Sequence, residues 1–419
     1  MKLLVKGGRV VDPASGRDAV GDVFIADGKI AAAPGTPDRT LDAKGLVVAP
    51  GLVDLAARLR EPGYEHKATL ESEMDAAVAG GVTSLACPPD TDPPLDEPGL
   101  VDMLRRRAKA LSRARVYPVG ALTVKLAGRQ LTEMAELAEA GCAAFSQGNA
   151  AVEDTQVLWR ALQYAATFGL PVWLRPEDAW LARGGVAHDG EVATRLGLAG
   201  IPAFAETIAL AAIFELVRAT GARVHLCRIS SAAGVALLRR AKHDGLPITC
   251  DVGIHHVHLS DMDLGYFDAQ CRLEPPLRSQ RDREALAAGL ADGTIDCAVS
   301  DHAPVDEDAK HLPFAEAEPG ATGLELLLPL TLKWGMERKL TLAQTLARIS
   351  SAPARILGAA SGRLEPGAPG DLVLFDPQAS WRVTPEALKS QGKNSPFLGM
   401  ELAGRVRATV VAGQVVYEA

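Results

Sequence analysis

The sequence predicts an α/β fold: a (β/α)8 barrel of the TIM type joined to a small composite β-sandwich. Three observations carry that expectation. Residues 2–50 run as short apolar stretches cut by tight turns. From about residue 52, strands alternate with helical segments, which implies βαβ units and a parallel sheet. After about residue 361 the hairpin style returns. About eight such units close naturally into a barrel, and the two β-rich ends are expected to pack as one domain. The boundaries read as 1–52 for the N-terminal part of the sandwich, 53–358 for the barrel and 359–419 for the C-terminal part.

Each element has a local reason. Leu3-Leu4-Val5, Arg9-Val10-Val11, Val23-Phe24-Ile25 and Leu46-Val47-Val48 are separated by Gly7-Gly8, Asp27-Gly28 and Lys44-Gly45, the punctuation of antiparallel hairpins. Barrel strands are read at Ser84–Cys87, Val116–Val119, Val172–Leu174, Val224–Leu226 and Cys297–Val299. Helices are read at Leu100–Leu111, Leu131–Glu139, Val157–Phe168, Ala205–Thr220, Gly234–Lys242 and Arg281–Leu290. Gly370–Asp376 and Arg407–Val416 give strand and turn signatures at the far end.

Composition narrows the function. An apolar share of 47% supplies a full core for a soluble enzyme-sized chain. A net charge of -8 argues against nucleic acid as the main partner. No stretch approaches the roughly 20 apolar residues of a membrane span. Met1–Lys6 resembles the start of a leader, but Gly7-Gly8 follows at once and a first strand fits better. The six cysteines form no Cys-x-x-Cys pair and read as buried thiols of a reducing, cytoplasmic setting.

The chemistry-bearing segments are Asp54-Leu55-Ala56-Ala57-Arg58-Leu59-Arg60-Glu61-Pro62-Gly63, Phe145-Ser146-Gln147-Gly148-Asn149, Arg175-Pro176-Glu177-Asp178, His225-Leu226-Cys227-Arg228-Ile229-Ser230 and Asp301-His302-Ala303-Pro304. Their frames resemble, across almost the whole chain, the metal-binding motifs of the dihydroorotases in the cyclic-amidohydrolase superfamily. The scaffold stretches Gly80–Thr83, Leu196–Pro202, Asp292–Asp296 and Gly323–Glu325 match it too. In that family, histidines and a bridging acidic residue hold zinc. Here the resemblance puts Ala56, Arg58, Gln147, Gly148, Arg175 and Arg228 at the ligand positions, and only Asp301, ligand and general base in the family, can still bind a metal. A catalytic zinc needs about three protein ligands and one open position. A guanidinium has no lone pair to offer and keeps its proton. At about 4 Å and an effective dielectric near 20, each would oppose a unit positive charge by about 4 kcal/mol. The expectation is therefore no zinc, no other cofactor and no catalytic residue, with Asp301 vestigial.

Arg60, which pairs with the substrate carboxylate in the family, is kept, whereas Asp90 and Glu274 bring negative charge where the family has asparagine. If Arg58, Arg175 and Arg228 converge, buried guanidiniums need acceptors, and Asp301, Glu177 and Asp178 are the nearest candidates. A salt-bridged plug is expected, with a phosphate- or carboxylate-binding sensor pocket as the alternative. His256 and His258 would share a face in an extended segment. His302 and His311 read as ordinary polar loop residues, Cys227 as an inert thiol, and Val305–Lys310 as a solvated acidic run. The resemblance also implies a role: inactive homologues of this family pair with the aspartate carbamoyltransferase catalytic chain in pyrimidine biosynthesis. Hetero-oligomers and self-association are expected, with no nucleic-acid or membrane partner. The rival expectation is an active cyclic-amide hydrolase, disfavoured because the family's rate rests on metal-bound hydroxide.

Overall fold

The computed structural model describes residues 2–32 and 35–419. Eight parallel strands form the barrel: β1 Leu52–Asp54, β2 Val82–Cys87, β3 Arg115–Ala121, β4 Ala144–Ser146, β5 Val172–Leu174, β6 Val224–Leu226, β7 Ile248–Gly253 and β8 Cys297–Val299. Each pairs with the next in chain order. Just beyond the last and first strands, backbone bonds seal the ring: Arg58 N–H donates to His302 O (2.9 Å) and His302 N–H to Ala56 O (3.0 Å). All six residues of β2 are buried, as a strand covered on both faces requires. The barrel lumen is filled by Val53, Leu55, Ala86, Val119, Trp173 and Val299, with helix Ser351–Leu357 packed against the same cluster.

Helices Leu70–Ala79, Pro98–Leu111, Met134–Ala140, Thr155–Phe168, Ala203–Thr220, Ala232–His243, Gln280–Asp292 and Leu327–Glu337 follow the eight strands. The expected helices lie within two or three residues of these bounds. The starts are set by caps that sequence patterning places loosely. Thr69 and Ser279, for example, each accept an N–H from the first turn and close a capping box.

The two ends of the chain meet in one sheet. Residues 47–50 pair antiparallel with 372–375, and hydrogen bonds link all eight terminal strands in a sheet that forks at Lys2–Asp12. Its core holds Leu3, Val10, Ile25, Val48, Leu372 and Val410. No helix among the described residues is long and apolar enough to cross a membrane.

Candidate functional site

The candidate site residues gather just past the C-terminal ends of the barrel strands, the mouth where this architecture places its chemistry. Arg58 follows β1, Asp90 follows β2, Gln147–Asn149 follow β4, Arg175 and Glu177 follow β5, Arg228 follows β6, His255 follows β7 and Asp301 follows β8. Arg60, Arg228 and Asp301 have φ of 63°, 58° and 45°, a left-handed backbone that bulky residues seldom adopt. Such strain, of order 1–3 kcal/mol per residue, persists where the surroundings enforce it.

Two of the three arginines share a centre. Arg58 Nη1 and Arg228 Nη1 both donate to Asp301 Oδ1, at 3.4 and 3.3 Å. Arg58 Nη2 and Arg228 Nη2 both donate to Asn149 Oδ1, at 2.9 and 2.6 Å. Arg58 Nε donates to Asp90 (2.9 Å). Arg58, Arg228 and Asp301 are each at most 6% exposed. Arg175 joins from the side: its Nη2 donates to Glu177 (2.6 Å) and to Asn149 O (3.2 Å), and lies 2.9 Å from Glu274. Burial alone would raise the carboxyls of Asp301 and Asp90, but the neighbouring guanidiniums outweigh it and hold both below the ordinary range. Glu177 goes the other way, because burial exceeds the help it receives from Arg175.

The expected acceptor set is partly different. Asp301 and Glu177 serve as expected. Asp178 does not: it caps helix Ala179–Ala182, accepting the N–H groups of Trp180 and Leu181. The residue sequence reasoning missed is Asn149, whose amide and carbonyl oxygens take all three arginines. Asn149 ends the same segment as Gln147 and Gly148, and that place just after β4 was the available signal. Asp90 and Glu274 act as counter-charges to Arg58 and Arg175. Gln147 turns away, its Oε1 accepting from Thr123 and its Nε2 donating to Leu126 O. Gly148 has φ 62°, and a Cβ there would sit 3.2 Å from that of Asp90, so the turn that delivers Asn149 favours glycine. Ala56 packs in the lumen cluster. Arg60 donates to Pro304 O (2.8 Å) and lies 4.0 Å from Glu318.

His255–His258 is a short helix, Ile254–His258, rather than an extended segment, so His256 and His258 do not share a face. His256 Nε2 bonds Pro275 O (2.9 Å) and His258 Nε2 bonds Leu330 O (2.8 Å). His302 is no ordinary loop residue: it is fully buried, its Nδ1 accepts Gly323 N–H and its Nε2 donates to Glu73 (2.6 Å). His311 is exposed. In the acidic run Glu307 and Asp308 are exposed as expected, but Lys310 is buried, donating to Ala269 O and Arg272 O.

The donor set at the mouth does not fit zinc. Asp301 Oδ1 is occupied by two guanidiniums, Oδ2 lies 3.6 Å from His255 Nε2, and the remaining family positions carry alanine, arginine, glutamine and glycine. Nearby, donor atoms of His225, Cys227 and Asp251 lie within 4.8 Å of one another. They are already engaged: His225 bonds Thr249 (2.8 Å) and Asp251 (2.9 Å), and Asp251 accepts the Arg228 N–H (2.6 Å). Burial pushes the Cys227 thiol well above its ordinary value, the direction of an unreactive thiol. Asp251 thereby fixes the Arg228 backbone. A cavity of 150 Å³ beside the cluster is lined by Arg58, Arg60 and Arg228 against Asp90, Glu274, Asp301 and Glu318. Four carboxylates to three guanidiniums leave no cationic surplus there for an anion.

The chain matches a model described as dihydro-orotase-like over residues 45–233 and one for the amidohydrolase family over residues 187–416. It is 47% identical, over the full length of both chains, to a dihydroorotase-like protein of Pseudomonas aeruginosa. It is 44% identical, again over both full lengths, to a dihydroorotase of a Geobacter species. Among solved structures, the L-hydantoinase of Arthrobacter aurescens superposes with a TM-score of 0.88 at 25% identity, covering 99% of this chain and 96% of that one. Barrel, composite end sheet and full-length similarity agree: the chain belongs to the dihydroorotase-like family of cyclic amidohydrolases.

Proposed function

We propose that this chain is a non-catalytic dihydroorotase-like subunit of the cytoplasm that supports assembly or stability of aspartate carbamoyltransferase in pyrimidine biosynthesis. The observation that carries the non-catalytic half is the pairing of Arg58 and Arg228 on Asp301 and Asn149. Ionic bonds occupy the one surviving carboxylate, and permanently charged side chains fill the space a dication needs. Without a Lewis acid at this position there is no activated water for amide hydrolysis. The partner half rests on the family resemblance.

The competing reading is an active cyclic-amide hydrolase, favoured by the name dihydroorotase carried by the Geobacter relative. Elemental analysis of the purified chain separates the two, together with dihydroorotate turnover in zinc-supplemented buffer. The proposal expects far less than one zinc per chain and no turnover above background. Stoichiometric zinc with turnover establishes the active enzyme instead. Co-expression with the carbamoyltransferase chain from the same source tests the partner: one high-mass complex is expected, and two separately eluting proteins reject it.

A further inference from the structure

Away from the barrel mouth, a cavity of 620 Å³ opens between helix Pro98–Leu111, the start of β3 and the turn at Val411–Gln414 of the end sheet. Its wall includes apolar Ala108, Val116 and Val411, and it carries five cations, Arg105, Arg106, Lys109, Arg113 and Arg115, with Asp102 the one carboxylate among them. Two cations are neutralised from outside the cavity: Arg113 by Asp75 (2.6 Å) and Arg115 by the buried Asp371 (2.9 Å). Of the others, Arg106 pairs with Asp102 at 4.0 Å, Arg105 donates to Ala140 O, the last carbonyl of helix Met134–Ala140 (2.6 Å), and Lys109 makes no ion pair among the described residues. Arg105 and Lys109 stand four residues apart on one helix, where like charges repel. The helix C-terminus favours a cation in its last turn, which accounts for Lys109. It does not account for the crowding of five cations against a single carboxylate in the lining of one concavity. The surplus is local, on a chain whose net charge is -8.

We propose that this cleft binds a small molecule bearing a polyphosphate, with the phosphates on Arg105, Arg106 and Lys109 and the organic body against the apolar wall. Guanidinium forks match phosphate oxygens bidentately, and the volume lies within the roughly 300–1,000 Å³ of small-molecule sites. The proposal does not depend on the function assigned above.

Calorimetric titration of the full chain with adenosine triphosphate, followed by competition with pyrophosphate, tests it. Saturable binding is expected, displaced by pyrophosphate and weakened by added salt. The Arg106→Ala/Lys109→Ala variant should bind at least about tenfold more weakly. Both side chains are exposed and alanine suits a helix, so the fold survives the change. The Arg9→Ala variant, altered at an exposed ion pair outside the cleft lining, should bind as the wild type does. Absence of saturable binding overturns the proposal. So does binding that pyrophosphate cannot displace, binding that the double variant retains, or binding that is lost in Arg9→Ala.

Discussion

Asp301 and His302 are adjacent in the chain, yet they belong to two polar networks of opposite character. Asp301 faces the mouth and balances Arg58 and Arg228. His302 faces the barrel seam and donates to Glu73, which also accepts from Ser390 Oγ (2.6 Å), Gln391 N–H (2.9 Å) and Ser72 Oγ (2.8 Å). Burial would raise the Glu73 carboxyl, but these partners bring it below its ordinary value, so it stays charged. The mouth network consists mostly of side chains answering side chains. The seam network ties a helix, a barrel strand and residues 390–391 through backbone groups as well. A segment resembling a catalytic motif thus also closes the ring: Ser300 and His302 stitch the end of β8 to Asp54 and Ala56 through bonds that do not involve Asp301.

The difference can be broken deliberately. Glu73→Ala should cost the most, about 3–5 kcal/mol of unfolding free energy in urea titration, because it strands buried donors on three elements. Asp301→Ala should approach the same loss by leaving two guanidiniums with less counter-charge. Replacing the mouth set together, as Arg58→Met, Asp90→Asn, Asp301→Leu and Arg228→Met, should recover most of that loss, since buried ion clusters exchange for uncharged residues at little net cost once no partner is left charged. No comparable rescue is expected at the seam. If the quadruple variant is no more stable than Asp301→Ala, the proposed distinction between the networks fails. Asn149→Ala should cost about 1–3 kcal/mol, the penalty of unsatisfied buried donors.

A pH profile sharpens the contrast further. Burial, with His255 adding to it, holds His256 down at about 3, and burial holds His258 at about 4, against an ordinary 6.5. Both folded values are depressed, so the unfolded chain binds more protons below about pH 6.5. Their stability contribution is complete above that pH and is lost as pH falls toward 4 and 3. Asp301 and Asp90, also depressed, add losses of the same sign only in stronger acid. Urea midpoints should therefore fall between about pH 7 and about pH 5 before the mouth carboxylates titrate; a flat profile there contradicts the histidine assignment. The smallest effect is expected at the surface, where Arg9→Ala should cost about 0–1 kcal/mol, because the Arg9–Asp18 pair is largely solvated.

Much of this was legible in the residues. The strands at Val172–Leu174, Val224–Leu226 and Cys297–Val299 match the structure residue for residue because short apolar runs between turn signals have few alternatives. The convergence of Arg58, Arg175 and Arg228 followed from their places at the C-terminal ends of barrel strands. Partner choice did not follow. Asn149 and Asp178 both lie close to a predicted site segment, and only the backbone path decides that one faces the arginines and the other caps a helix. The burial of His302 and Lys310 depends on contacts with residues distant in sequence, Glu73 and Ala269 among them, which no local pattern reports. His255–His258 coils because β7 ends at Gly253, a boundary the histidine spacing does not reveal.

The end sheet has a consequence for biogenesis. Its central pairing joins residues 47–50 to 372–375, more than three hundred positions later, and 372–382 is flanked in turn by 401–411. During synthesis the early strands therefore emerge with an open edge and no neighbour on that side, while the barrel between them is still being made. Closing so long a loop is slow, and an uncovered edge invites pairing with other chains. Polypeptide stopped short of residue 372 is thus expected to accumulate in aggregates rather than as a lone barrel.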